Sequence, residues 1–142
     1  MIKRKNILKI AIDSPAAAGA GTLAKAISKN YNLFYLDTGK IYRMIAYLKI
    51  KFPKKFNQSF IKSKIKTIKV KDLANKALLS DEVGTEASII SKVKSTRKLV
   101  HSFQLNFAYN PQKTIKDHVL MEGISLTILC PMLILNSSLQ QM

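Results

Sequence analysis

Residues 7–22, ILKIAIDSPAAAGAGT, constrain the fold more than any other stretch. Ile7 to Ile12 is a short apolar run, interrupted by Asp13, and reads as a buried strand. Ser14 to Gly21 is a loop of small residues. Thr22 to Asn30 has helical composition, with Leu23, Ala26 and Ile27 expected on one face. A strand, a small-residue loop and a helix in that order present several backbone N–H groups to a phosphate. Gly19 and Gly21 would let the backbone come close, and the Thr22 hydroxyl could stand near a magnesium ion. The bare phosphate-loop pattern, G-x-x-x-x-G-K-[ST], is nevertheless broken. Ser14 replaces its first glycine and Ala20 its lysine. At this point a small-residue turn that only packs a helix on a sheet is an equal reading.

The segment that follows repeats the alternation. Leu33 to Leu36 is a second strand, closed by Asp37-Thr38-Gly39. Ile41 to Lys49 is a second helix with an Ile41, Met44, Ile45, Leu48 stripe. Strand, helix, strand, helix points to a parallel α/β sheet. Lys51 to Lys71 is lysine-dense, contains Pro53, shows no clean period before Phe60, and reads as a weakly structured insert. Helices are expected over 72–79, over 82–93, and from a Ser95 cap to Ala108, where Asn110-Pro111 stops the last one. Val119 to Met121 and Thr127 to Cys130 are short strand candidates. Pro131 to Met142 has no clear role, although its apolar part, Met132 to Leu135, could cover a sheet edge.

A chain of 142 residues with 47% hydrophobic content can bury one modest core and is not a disordered chain. The net charge of +16 suggests anionic partners. Only Arg4, Arg43 and Arg97 among the basic residues are arginines, and the richness in Lys, Ile and Asn looks like a compositional bias. Phosphate and base readers favour arginine forks, so nucleic acid is the weaker expectation as a partner. Its best support is Phe52, Phe56 and Phe60 among lysines, on which bases could stack; four-residue spacing more often marks one apolar helix stripe. The single Cys130 forms no internal disulfide. The basic start and Ile7–Ile12 are too short for a signal peptide, and Ile124–Leu135 is too short to span a bilayer. The expectation is a cytoplasmic monomer with no membrane contact. His101 and His118 have no Cys or carboxylate at ligand spacing, so no metal site is expected there.

The stretch DSPAAAGAGTLAKAISKNYNLFYLDTGKIYRMIAYL resembles the N-terminus of bacterial cytidylate kinases, the (d)CMP kinases. Their pattern there is close to D-G-P-A-x-x-G-K-G-T, then L-A, then Y-L-D-[ST]-G-x-x-Y-R. Asp13, Pro15, Ala16, Gly19, Gly21 and Thr22 match in register, as do Tyr35, Leu36, Asp37, Thr38, Gly39, Tyr42 and Arg43. VGTEASIISKVKSTRKLV looks like the family segment ending in a CMP-contacting arginine, here Arg97. FQLNFA resembles a helix that normally reads F-Q-R-x-F-A, with Leu105 in place of the arginine. VLMEGISLTILCP resembles the D/E-G-R-D-I-G-T segment, where Glu122 and Gly123 match and Ile124 and Ser125 do not. The resemblance covers roughly residues 5 to 123 and is strongest from 7 to 48. The family's arginine-bearing lid and last strand and helix have no counterpart in the sequence.

The resemblance implies a P-loop NTPase-like parallel sheet with flanking helices, with the C-terminal part of the fold missing. Residues 1–142 would form a single incomplete nucleoside monophosphate kinase domain. Its P-loop core would lie in 1–50, the monophosphate-binding insert and helices in 51–110, and a core remnant with a divergent tail in 111–142. The implied activity is transfer of the ATP γ-phosphoryl group to CMP or dCMP with Mg2+. Ser14, Pro15, Ala16, Ala17, Ala18, Gly19, Ala20, Gly21 and Thr22 would wrap the ATP phosphates. Thr38, Tyr42, Arg43 and Arg97 would hold the monophosphate, and Asp37 and Arg43 would be catalytic. Ala20 and Ile124 each remove an electrophilic group, so impaired activity is expected. A non-catalytic nucleotide-binding protein, or a basic nucleic-acid binder, are the other readings. Each residue also has a plainer role: Asp37-Thr38-Gly39 as a strand-to-helix turn with Thr38 as N-cap, Tyr42 as a core-edge aromatic, Arg97 as a solvated helix arginine, and Glu122 as a strand-end charge.

Overall fold

The computed structural model describes residues 9–13, 19–109, 119–122 and 133–136. The chain divides into two compact units, one made of residues 1–37 with 105–142, the other of 38–104.

The first unit is built on four strands, β1 (Lys9–Asp13), β2 (Phe34–Asp37), β3 (Val119–Glu122) and β4 (Leu133–Asn136). They form one sheet in the order β2-β3-β1-β4, and every described pairing is parallel. Strands that run parallel need a crossover connection, and helix α1 (Ala20–Asn30) lies in the one from β1 to β2, which flank β3. β1 lies between two neighbours, which suits its apolar centre, Ile10-Ala11-Ile12. Ile10 and Ile12, two residues apart, are both buried and meet Ala24 and Leu33 in a small core, with Ile27 and Tyr35 against it. On α1 the inward pair is therefore Ala24 and Ile27, three residues apart. Leu23 and Ala26 are exposed, contrary to the expected face. The helix ends where Tyr31 N–H donates to the Ile27 carbonyl and Asn32 takes φ 53°, a left-handed turn that asparagine tolerates. Leu33 N–H then donates to the Ser28 carbonyl at 2.8 Å, and the Ser28 hydroxyl donates back to the Leu33 carbonyl at 3.2 Å. Phe107 is buried, its ring 5.2 Å from that of Phe34. The apolar stretch near the C-terminus supplies β4, an edge strand beside β1. The strand expected at Thr127–Cys130 lies outside the described residues.

The second unit is helical. α2 (Thr38–Lys51) starts directly after β2 and turns Ile41, Met44, Ile45 and Ala46 inward. Lys51 to Lys71 is more ordered than the sequence suggests. A turn at Pro53–Lys55 leads to α3 (Gln58–Thr67), capped by Asn57, whose side-chain oxygen accepts from Phe60 N–H at 2.9 Å. Ile61 and Ile65, four apart, are its buried residues. The phenylalanines do not form one helical stripe, because Phe52 and Phe60 stand on either side of the turn. Their rings meet edge to face at 5.9 Å, and the ammonium groups of Lys51, Lys49 and Lys64 lie over Phe52, Phe56 and Phe60. The helix expected over 72–79 is two short 3-10 helices, Val70–Ala74 and Lys76–Leu79. Asn75 separates them by accepting Ala77 N–H on its side chain. α4 (Asp81–Ile90) is capped by Ser80 and carries Asp81 and Glu82 in its first turn, where the helix dipole favours negative charge. α4 packs on α2, and Lys49 of α2 pairs with Glu86 of α4. α5 (Lys94–Tyr109) buries Thr96, Val100 and Gln104 in this unit. Ser95 is its second residue rather than its cap.

Candidate functional site

The phosphate-loop side belongs to the first unit. Gly19 stands immediately before α1 with φ 78° and ψ 12°, the left-handed region that glycine enters without strain. Among the described residues a Cβ there would meet nothing within 4 Å, and the backbone angle calls for glycine. The first intrahelical bond of α1 runs from Leu23 N–H to the Gly19 carbonyl. The N–H groups of Ala20, Gly21 and Thr22 therefore have no acceptor inside the helix, no side chain among the described residues caps this end, and its first turn carries no acidic residue. Thr22 is exposed. Open space at Gly19 and an uncapped, acid-free helix start fit a polyphosphate. Ala20, the first residue of α1, brings no cation to it. Ser14 to Ala18 lie outside the described residues.

The register places further groups on the same edge of the sheet. Glu122 pairs with Ile12 on one side and with Asp37 on the other. Asp13, Asp37 and Glu122 thus stand together at the carboxyl ends of β1, β2 and β3, the edge where open parallel α/β sheets bind ligands. The alignment of Glu122 with Asp37 was not readable from the sequence, because it depends on which strands are neighbours. Gly123, Ile124 and Ser125 lie outside the described residues.

In the second unit, Thr38, Tyr42 and Arg43 share one turn and a half of α2. Thr38 is buried, and its Oγ1 accepts a hydrogen bond from Gln104 Nε2 at 2.6 Å, across 66 residues. Sequence reasoning missed Gln104; the only signal was its place beside Leu105 in FQLNFA. Arg43 Nη1 donates to the Leu78 carbonyl at 2.8 Å and lies 3.5 Å from the Ser80 carbonyl. Both acceptors are neutral carbonyls. Tyr42 is half-buried. Burial pushes its hydroxyl above the ordinary 10.0, and the positive charge of Arg97 pulls it partly back. Arg97 is thus near enough to act on Tyr42 while its own side chain is exposed. The four residues expected to hold a monophosphate therefore belong to one compact unit, with Thr38, Tyr42 and Arg43 on α2 and Arg97 on α5. Among the described residues, no group of three His, Cys, Asp or Glu side chains could hold a metal ion, and no helix is long and apolar enough to cross a membrane.

A parallel sheet with a helix that starts after a left-handed glycine is an α/β arrangement of the kind found in P-loop proteins. Comparison with known proteins makes the class specific. The chain belongs to the cytidylate kinase family, whose model, described as "Cytidylate kinase", matches residues 10–127. Similar curated proteins are the cytidylate kinases of Bradyrhizobium sp. (strain ORS 278), 35% identical over 124 residues, and of Bartonella tribocorum (strain CIP 105476 / IBS 506), 40% identical over 125 residues. Each alignment covers 86% of this chain, and 56% and 55% of the respective relative. The cytidylate kinase of Rhodopseudomonas palustris (strain ATCC BAA-98 / CGA009) is 35% identical over 124 residues, with the same 86% and 56% coverage. The chain thus spans about half the length of the curated relatives it matches. Membership of this family implies the P-loop NTPase fold.

Proposed function

We propose that the chain binds ATP with Mg2+ and CMP or dCMP, and transfers the γ-phosphoryl group to give CDP or dCDP and ADP at a reduced rate. The observation that carries this reading is the family match, which runs through both the phosphate loop and the Asp37–Arg43 segment. In the reaction, the bond between the γ-phosphorus and the bridging oxygen of ATP breaks, and a bond to a phosphate oxygen of CMP forms. The protein's work is to position two nucleotides and to neutralise charge. Backbone N–H groups from Ser14 to Thr22 would hold the ATP phosphates, with the Thr22 hydroxyl toward Mg2+. Mg2+ would offset phosphate charge. Asp37, at the carboxyl edge of β2, would orient the metal and the monophosphate pocket. Thr38, Arg43 and Arg97 would hold the monophosphate, Arg43 also sharing charge in the transition state, and Tyr42 would pack beside the nucleoside.

The reduced rate follows from three positions that depart from the family pattern, Ala20, Leu105 and Ile124. Loss of one electrophilic group from such a site costs about 3 kcal/mol in the transition state, ~100-fold in rate. We assign the three parts, 1–50, 51–110 and 111–142, to one kinase domain that works as a cytoplasmic monomer. Ala20 also favours a second reading, in which binding of CMP survives without transfer.

The test is CDP formation from CMP and Mg·ATP, measured beside calorimetric CMP binding, for the native chain and for Ala20→Lys. Slow CDP formation that Ala20→Lys accelerates supports the kinase. CMP binding with no CDP from either version leaves the binding reading. Absence of CMP binding removes both.

A further inference from the structure

We propose that Gly84, together with the carbonyls of Leu78 and Ser80, forms a seat that positions the Arg43 guanidinium for the phosphate of the nucleoside monophosphate. The inference rests on the monophosphate role proposed for Arg43 above, and assigns Gly84 as a positioning residue.

Gly84 is the fourth residue of α4 and has no positive φ. Its backbone would accept any residue, and glycine in a helix is unfavourable relative to alanine. Space explains it instead. A Cβ on Gly84 would stand 3.0 Å from Arg43 Nη2, 3.2 Å from Nη1 and 3.4 Å from Cζ. These distances put the Nη1–Nη2 edge of the guanidinium against the place a Cβ would take. Making room for a Cβ would move the guanidinium by a few tenths of an ångström, and because Nη1 is tied to the Leu78 carbonyl at 2.8 Å, that shift would act on this bond. The two carbonyls come from the last turn before α4 and from its cap, so one short segment, Leu78 to Gly84, makes the whole seat.

The seat has the chemistry of an anion site. Its acceptors are neutral, so they orient the guanidinium without cancelling its charge. Among the described residues the Arg43 hydrogen bonds are made by Nη1, and Nη2 with Nε would form the fork toward phosphate oxygens. A side-chain-free surface under the guanidinium fixes where the fork points. A fork held in place loses less freedom on binding than a free arginine.

The experiment is a double-mutant cycle on the full chain. CMP dissociation constants are measured by calorimetry for the native protein, Gly84→Ala, Gly84→Leu, Arg43→Lys, and the two combinations with Arg43→Lys. Melting temperature is followed for each. Gly84→Ala should weaken CMP binding about three- to ten-fold, a coupling of the size found between contacting residues. Its melting temperature should hold or rise, since alanine is the better helix former. Gly84→Leu should weaken binding about as much as Arg43→Lys. In the Arg43→Lys background, either glycine substitution should change affinity by less than about two-fold. Unchanged CMP affinity in Gly84→Ala overturns the seat, and so do fully additive effects, even though CMP binding itself survives. If Gly84→Leu does not fold, the alanine arm still decides. A native chain that does not bind CMP overturns the monophosphate reading, and the seat with it.

Discussion

Replacing Gln104 by leucine isolates one buried bond that ties the start of α2 to α5 within the second unit. Gln104 and Thr38 are each only 5% exposed, and the Nε2 to Oγ1 distance is 2.6 Å. Water does not readily replace a lost partner at such a site. Gln104→Leu takes this donor from the Thr38 hydroxyl and should cost about 1 kcal/mol, the net worth of one hydrogen bond. For a chain of this size that is about 3 °C in melting temperature. Thr38→Val should cost at least as much, since it strands the larger amide. The double variant removes both polar groups and should recover about 1–2 kcal/mol relative to the sum. Urea unfolding of the four proteins gives the cycle, with equal m values as the check that only stability has changed. Costs that add to within about 0.3 kcal/mol would show that the two side chains do not depend on each other, and the positioning of Thr38 by Gln104 would have to be given up.

Other outcomes follow from single features. Gly19→Ala should cost about 1–2 kcal/mol, because φ 78° strains an L-residue although no described residue crowds the new Cβ; Gly19→Asn should be milder, and equal stability of all three by thermal melting would contradict the left-handed turn. Tyr42 has a folded pKa above its unfolded value of 10.0, so the unfolded state loses its proton first as pH rises. Stability should fall above pH 10 toward the folded value, and Tyr42→Phe should lack that part of the slope when urea unfolding is compared across this range. Arg97→Ala removes the nearby positive charge and should move the Tyr42 titration, followed by ultraviolet absorbance, still higher; no movement would separate the two residues. Asn57→Ala should lower stability by about 1 kcal/mol and speed amide exchange in α3, as expected for a lost helix cap.

How much of this was legible depends on how far each interaction reaches along the chain. Apolar runs and helical spacing disclosed β1, α1, β2 and α2, because each is specified by residues close together in the sequence. Lys51 to Lys71 misled because α3 buries only Ile61 and Ile65, and the surrounding lysines hid a stripe of two. Asn57 was the local signal that should have outweighed them. Residues 72–79 have helical composition, yet Asn75 satisfies a backbone N–H with its own side chain and splits the segment into two turns. On the candidate site, the family resemblance marked Asp37 to Arg43 as candidates; Asp37 ends β2, and Thr38, Tyr42 and Arg43 follow on α2. What holds them was not local. Gln104 is 66 residues from Thr38, and Leu78 is 35 from Arg43, so no periodic pattern carries either contact. Gly84 left the faintest trace, a glycine within a helical pattern, which usually counts only against the helix. Its meaning depends on what lies above the missing side chain. The sequence therefore exposes the groups that would meet a phosphate more readily than the groups that aim them. A substitution at Gly84 or Gln104 could impair such a site while every matched motif residue stayed in place.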